Sequence, residues 1–546
     1  MGLLSFLLRG EEPLLRAGIF SDTHVTAQKS SCLRLKKALE LFQKHKVDLV
    51  INAGDIADRF DPQAYLNYRN TVRQVFKKSC QPREIFAYAN HDWMGKKEVP
   101  VRQVFQEVKK HLEIPHEPYA ALKIKGIPFV VVPQFADMKR YHSMLEQAVR
   151  ENPGQPIFVV DHIPPHDTVF ASAGQGIERR KLLNDFPQVI LICGHKHNTL
   201  KSELTLWQGE FTVIHAGCLQ NWRLFLTGSP WAKFPDDTVL LMEIFKDKLV
   251  LRRFSALTWR EIRPEAPRTI PLPFEAARAP FSPSRRRQSA PVPQFSLKDK
   301  IKVQFLPEKA VFSFPHAQSP DGVYQYQFEL FQQKKGQWER FARMDKPGNF
   351  LNPEKNQARY TADIGYFESH KKYLLRITPV NFYHVTGKAV ETTFSVPQRK
   401  KEQICFESRT PAKDCLILEN TPSAKKLQRS CKNWLIPSGK EIRLVFPGNI
   451  WKGKARTLYR FTIEMQQEEF SSLPRFMVLR NPDPLDEATG RILLPREKSG
   501  KLRYVFTHSK REDGYNYFLL FTKGGAGAIR FDYVKVELLQ FPDNKK

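Results

Sequence analysis

From Leu14 to about Ser255, short apolar runs alternate with longer amphipathic ones. The runs at 15–20, 49–53, 85–89, 129–133, 157–160 and 189–193 have the length of buried strands, and each is followed by polar residues. Between them, Ser31 to Lys46 and Val101 to Leu112 place apolar residues at helical spacing. That alternation predicts an α/β domain whose chemistry sits on loops at the carboxyl ends of strands. Four later runs, at 204–207, 211–215, 239–245 and 248–254, predict antiparallel strands closing a second sheet.

The pattern changes at 262–296, where Pro264, Pro267, Pro271, Pro273, Pro280, Pro283, Pro291 and Pro293 surround the basic run Arg285, Arg286, Arg287. Such a composition predicts a stiff, extended linker. Beyond it, period-2 runs at 301–305, 324–331, 373–380 and 391–396 predict a small β-sandwich. Further strand-like runs from about Cys405 to Leu539 predict a second one. The expected organisation is an α/β domain over 1–261, a linker over 262–297, and β-sandwiches over 298–400 and 401–546.

Composition changes this picture in three respects. A chain of 546 residues is too long for one hydrophobic core, which agrees with several domains. The net charge of +29 is unevenly spread: residues 1–270 hold 38 Lys+Arg against 29 Asp+Glu, and the remainder 48 against 28. A basic C-terminal half favours an acidic glycan or another anionic surface, with nucleic acid as the lesser alternative. The seven cysteines contain no C-x-x-C pair and no zinc spacing. Cys405 with Cys415, or Cys415 with Cys431, would suit a disulfide in an oxidising compartment, and free thiols fit equally. The apolar run at 3–8 is shorter than the core of a secretory leader, and no run is long enough to span a membrane. β-modules favour the cell envelope or exterior, whereas the N-terminal run offers no export signal, so the compartment stays open.

Candidate chemistry lies in five short signatures, each at a strand-to-loop position. They are Asp22-Thr-His24, Gly54-Asp55-Ile-Ala-Asp58-Arg59, Ala89-Asn90-His91-Asp92, Asp161-His162 and Gly194-His195-Lys196-His197. Two neighbouring divalent cations need a bridging carboxylate flanked by imidazoles, a second carboxylate and a carbonyl oxygen, and these segments supply all of them. Asp22 and His24 alternate by two, as do His195 and His197, so each pair is expected to point one way from an extended strand end. His215, at the end of a strand, is not expected to be a ligand.

In this order the signatures resemble the block pattern of the calcineurin-like metallophosphoesterases, over about 14–255. The resemblance implies a four-layer αββα sandwich. It also implies a hydrolase of phosphate mono- or diesters with two divalent ions, Mn, Fe or Zn, and a hydroxide held between them as the nucleophile. It assigns one ion to Asp22, His24, Asp55 and His197 and the other to Asp55, Asn90, His162 and His195, with Asp55 as the bridge. His91 would protonate the leaving oxygen, Asp92 would orient His91 or order its loop, and Asp58 and Arg59 would support the ligands from outside. Asp58 stands where purple acid phosphatases carry a tyrosine, which argues against an iron-phenolate site. Ala89 stands where the family usually has glycine, and a positive φ there would cost about 1 kcal/mol. The segment 373–381 resembles a fibronectin type III module, and the last strand a galactose-binding-like jelly roll. The competing readings are a DNA nuclease of the SbcD type and a surface-binding protein with an inactive phosphoesterase scaffold.

Overall fold

The computed structural model describes residues 11–96, 98–169, 175–224, 232–235, 237–296, 300–305, 309–351, 357–363, 367 and 370–397 and, beyond residue 402, the strands alone. The chain divides into two compact units, Met1–Arg223 with Phe234–Ala290, and Leu224–Lys233 with Pro291–Lys546. The opening run at 3–8 and the candidate disulfide cysteines lie outside the described residues or their side chains. Among the described residues, Cys32, Cys80, Cys193 and Cys218 form no disulfide. Among the described residues, no helix is long and apolar enough to cross a membrane.

The first unit begins β1 (Leu15–Phe20), α1 (Leu33–Lys44), β2 (Leu49–Asn52), α2 (Pro62–Val75), β3 (Arg83–Phe86), α3 (Asn90–Trp93) and α4 (Val101–Leu112). It continues with β4 (Ala120–Ile124), β5 (Ile127–Val131), α5 (Met138–Glu151), β6 (Ile157–Val160), α6 (Gln175–Leu183), β7 (Val189–Cys193), β8 (Leu206–Gln208) and β9 (Thr212–His215). After β10 (Asn221–Leu224) and β11 (Ala232–Pro235) come β12 (Thr238–Ile244), β13 (Lys248–Ser255), β14 (Glu261–Ile262), β15 (Arg268–Pro271) and α7 (Pro283–Ser289). One sheet runs β14-β13-β12-β1-β2-β3 with β15 also on β13, and the other runs β4-β5-β6-β7-β9-β8.

Strand alternation divides the apolar residues among three cores. Ala17, Ile19, Leu49, Ile51 and Ile85 meet Phe129, Val131, Phe158, Val160, Ile190 and Ile192 between the sheets. From the opposite face of the first sheet, Phe20, Val50 and Phe86 pack on Leu35, Ala38 and Phe42 of α1 and on Tyr65 and Tyr68 of α2. From the far face of the second, Val130, Val159 and Leu191 pack on Tyr141 and Leu145 of α5 and Leu183 of α6. Each central strand is thus covered on both faces, as parallel strands require, and the layers read α, β, β, α.

Two expectations are corrected. The four later strands do not close one antiparallel sheet: β12 and β13 join the first sheet, β8 and β9 join the second, and β9 runs parallel to β7. Residues 262–290 are not an extended linker. Strand β15 pairs antiparallel with β13, Ile270 is fully buried, and the Arg268 guanidinium donates to Thr205 Oγ1 and the Ser202 carbonyl, both at 2.8 Å. Pro271 ends a strand and Pro283 starts α7, positions where a missing N–H costs little. Residues 291–296 fall in the second unit, where Gln294 pairs with Gln318.

In the second unit, residues 302–363 contribute a three-stranded sheet, Lys302–Phe305, Lys309–Pro315 and Gln357–Asp363. A four-stranded sheet comprises Gln337–Pro347, Gln325–Lys334, Lys372–Val380 and Val390–Ser395. Alternate residues of both, including Phe312, Phe314, Phe328, Leu330, Leu375 and Ile377, share one core, so this part is a sandwich. The strands between Gln403 and Gln540 form a five-stranded and a four-stranded sheet, all antiparallel.

Candidate metal centre

Both sheets deliver polar side chains from the carboxyl ends of parallel strands. Asp22 and His24 follow β1, Asp55 follows β2, Asn90 and His91 follow β3, His162 follows β6, and His195 and His197 follow β7. The loops are bound to one another through the backbone. The Asp22 N–H donates to the Gly54 carbonyl at 2.9 Å, that of His24 to Asp55 at 3.1 Å, and that of Gly194 to His162 at 3.0 Å. Asp22 Oδ2 accepts the His195 N–H at 3.1 Å and so ties a loop of one sheet to a loop of the other.

The expected extended geometry of the two alternating pairs is not what forms. Asp22, His24, His195 and His197 have φ of 53°, 43°, 69° and 48°, and Asp55 has 52°. The left-handed region is disfavoured for residues with a Cβ and persists where the surroundings over-determine it, as these inter-loop hydrogen bonds do. Gly54, at φ 106°, leaves no room for a side chain, because a Cβ there would meet His162 Nδ1 at 2.4 Å. Ala89 is extended, at φ −132°, so the alanine in place of glycine carries no left-handed strain.

The side chains converge in overlapping sets. Donor atoms of Asp22, His24, Asp55 and His197 all lie within 4.8 Å of one another, and so do those of Asp55, His162 and His195. Asp55 belongs to both. His24 Nε2 lies 3.1 Å from His197 Nε2, His197 Nε2 3.3 Å from Asp22 Oδ1, and His162 Nε2 3.1 Å from Asp55 Oδ2. Ligands about 2.1 Å from one ion are spaced by about 3 Å, which matches these separations. Asp22 Oδ1 and Asn90 Oδ1 are buried and accept no hydrogen bond among the described residues, which is costly without a cationic partner. The donor set and its unsatisfied oxygens therefore fit divalent cations.

Carbonyl contacts fix which ring nitrogens point inward. His162 Nδ1 lies 2.7 Å from the Ala53 carbonyl, and His91 Nδ1 2.7 Å from that of Asp58. A carbonyl only accepts, so each Nδ1 carries the proton and each Nε2 is left for other partners. Asp58 Oδ1 lies 3.6 Å from His24 Nδ1, behind the ring, as an outer support would. Arg59 is exposed and makes no hydrogen bond to the cluster among the described residues.

Asp92, grouped in the sequence with His91, is sealed beneath the turn. Its carboxylate accepts the N–H groups of Ala57 and Ala89, each at 3.3 Å, so it orders the loop and does not orient the His91 ring. Burial pushes this carboxyl up to about 8, and the neighbouring Asp55 charge adds to the rise. Asp55 behaves oppositely: burial would raise it, but His162 and then His24 hold it well below the usual range. For His162, burial would lower the imidazole, and Asp55 outweighs it to bring it up to about 9. Burial, reinforced by His162, pushes His195 down to about 2 and so keeps it neutral.

A family profile described as calcineurin-like phosphoesterase matches residues 15–199. Residues 15–199 are thus similar to a calcineurin-like phosphoesterase domain. The match covers the loops that carry every residue of both sets. Among solved structures, purple acid phosphatase PPD1 from yellow lupin (Lupinus luteus) seeds aligns at TM-score 0.34 and 14% identity, covering 47% of this chain and 53% of its own. The chain thus spans about half the length of that protein. The FN1-FN3 domains of chicken CNTN1 align at TM-score 0.16 and 12% identity, covering 54% of this chain and 78% of theirs. No curated protein matches the chain.

The phosphoesterase domain also holds residues that motif reading passed over. Gln134 Oε1 accepts the Asn90 N–H at 2.8 Å, and Arg179 is a buried partner of Asp161. Neither carries a local signature; Gln134 only follows a strand end. His215 is fully buried with its Nε2 lacking a hydrogen bond, and burial, then His197 and His162, lower it to about 3.

Proposed function

We propose that the phosphoesterase domain hydrolyses phosphate mono- or diesters with two divalent cations, Mn, Fe or Zn. Asp22, His24, Asp55 and His197 would hold one, and Asp55, Asn90, His162 and His195 the other. The observation that carries this reading is the sharing of the Asp55 carboxylate between two donor sets. Bound there, the pair would acidify a water and neutralise phosphate oxygens. The chain's own residues do the rest. The His91 ring, its Nδ1–H held by the Asp58 carbonyl, would take a second proton on Nε2 from solvent and pass that proton to the leaving oxygen. Asp92 and Gln134 hold the turn that presents it.

The strands at 302–395 would form a fibronectin type III-like module, which their three-plus-four arrangement supports. Those at 403–540 would form a galactose-binding-like module. Both would hold the enzyme on an acidic glycan or other anionic surface, for which the excess of Lys+Arg beyond residue 270 is the support.

The test is release of p-nitrophenol from p-nitrophenyl phosphate and from its bis-ester with added Mn. Turnover of at least one ester is expected. A protein that binds metal yet cleaves neither would overturn the reading.

A further inference from the structure

We infer that Arg179 is a positioning residue for the Asn90–His162 half of the site. The side chain is 2% exposed on α6, in the outer helical layer, and it spans the loop after β6, which carries the proposed ligand His162, and the loop after β5, whose Gln134 bonds the Asn90 turn. Its Nε donates to Asp161 Oδ2 at 2.6 Å and its Nη2 to Asp161 Oδ1 at 3.3 Å. The same Nη2 donates to the Gln134 carbonyl at 2.7 Å.

Both branches continue to the cluster. Asp161 is bonded in the chain to His162, and its Oδ1 also accepts the Ile163 N–H at 3.1 Å, so His162 is bracketed by a fixed carboxylate. Gln134 takes the Asn90 N–H on its side chain and donates its own N–H to the Tyr88 carbonyl at 2.8 Å. One guanidinium therefore sets the β6 loop and, through Gln134, the β3 turn, which belong to different sheets. A planar fork with fixed donor directions can hold two acceptors in one geometry; an ammonium cannot do so in the same way. Both branches lead to proposed ligands of the Asn90–His162 cation, so loosening Arg179 should weaken that cation more than the other.

This rests on the two-cation reading above, and the experiment separates the two. The full-length chain is stripped with a chelator and titrated with Mn2+ by equilibrium dialysis, with electron paramagnetic resonance distinguishing an exchange-coupled pair from an isolated ion. Wild type should take up two ions. Arg179→Lys should keep one ion at wild-type affinity and bind the other about 10–100-fold more weakly, leaving the spectrum of isolated Mn2+. Asp161→Asn, which removes the carboxylate partner of Arg179 and keeps Gln134 and every proposed ligand, should do the same and decides the matter if Arg179→Lys does not fold. Unchanged affinities for both ions, or an equal loss of both, would overturn the inference. Failure of wild type to bind two ions would instead overturn the two-cation reading.

Discussion

Left-handed backbone at Asp22, His24, Asp55, His195 and His197 makes the site's geometry a property of the loops as much as of the side chains. Gly54 is where this is most exposed to substitution. Gly54→Ala puts a methyl against the His162 ring at a positive φ and should cost about 1–3 kcal/mol, seen as a lower denaturant midpoint together with reduced metal content. His91→Asn should behave differently. His91 is in neither of the two donor sets that share Asp55, so metal content should stay at the wild-type level while kcat falls about 10²–10⁴-fold, measured with p-nitrophenyl phosphate. Asp55→Asn should lower metal content at both positions, and unchanged content by elemental analysis would remove Asp55 as the bridge. At this scale the donor types and their order were legible in the sequence, because metal chemistry admits few residue types. The left-handed turns were not, since Asp-x-His reads equally well as an extended strand end. Gln134 and Arg179 were also hidden, because Asn90 lies 44 positions from the first and Asp161 18 positions from the second.

Among the elements, the buried Glu203 governs how the segment after β14 is held. Its carboxylate faces Arg253 at 2.9 Å, Arg263 at 3.1 Å and Arg268 at 3.4 Å. Burial would raise this carboxyl, but Arg268, Arg253 and Arg263 together hold it well below the usual range. A depressed folded value stabilises the fold above the unfolded pKa of about 4.3, and that stability is lost as pH falls through the folded value. Glu203→Gln removes the countercharge that three guanidinium groups share and should cost about 3–5 kcal/mol near neutrality. The difference from wild type should shrink in acid, which denaturant midpoints at neutral pH and at about pH 3 would reveal. Strands at 15–20, 157–160 and 189–193 were readable to the residue because nearly every position in them is apolar. The helix at 62–75 was missed although Asp61 and Pro62 mark its start, with Asp61 accepting the Gln63 N–H at 2.9 Å. Strand β15 was missed because proline density outweighed four residues of alternation, Arg268 to Pro271.

For the molecule as a whole, this segment moves the end of the catalytic unit. Every residue of its three cores lies before residue 291, and Ile270 and Leu272 belong to the core between the sheets. A chain ending after Ala290 should keep a cooperative thermal transition and metal binding, whereas one ending at Glu261 should lose Arg268 and β15 and unfold at lower temperature or fail to express in soluble form. Equal melting of the two truncations would show that the segment contributes nothing. The α/β class and the β-rich remainder were legible from periodicity, but the sorting of late strands between two sheets was not, because local pattern does not encode which neighbour a strand will choose. The Asp22 carboxylate gives that sorting a physical readout. Its bond to the His195 amide exists only while the ends of the two sheets stay together. Hydrogen–deuterium exchange at that single amide therefore reports how often the halves of the site part, without any substrate, inhibitor or metal being added.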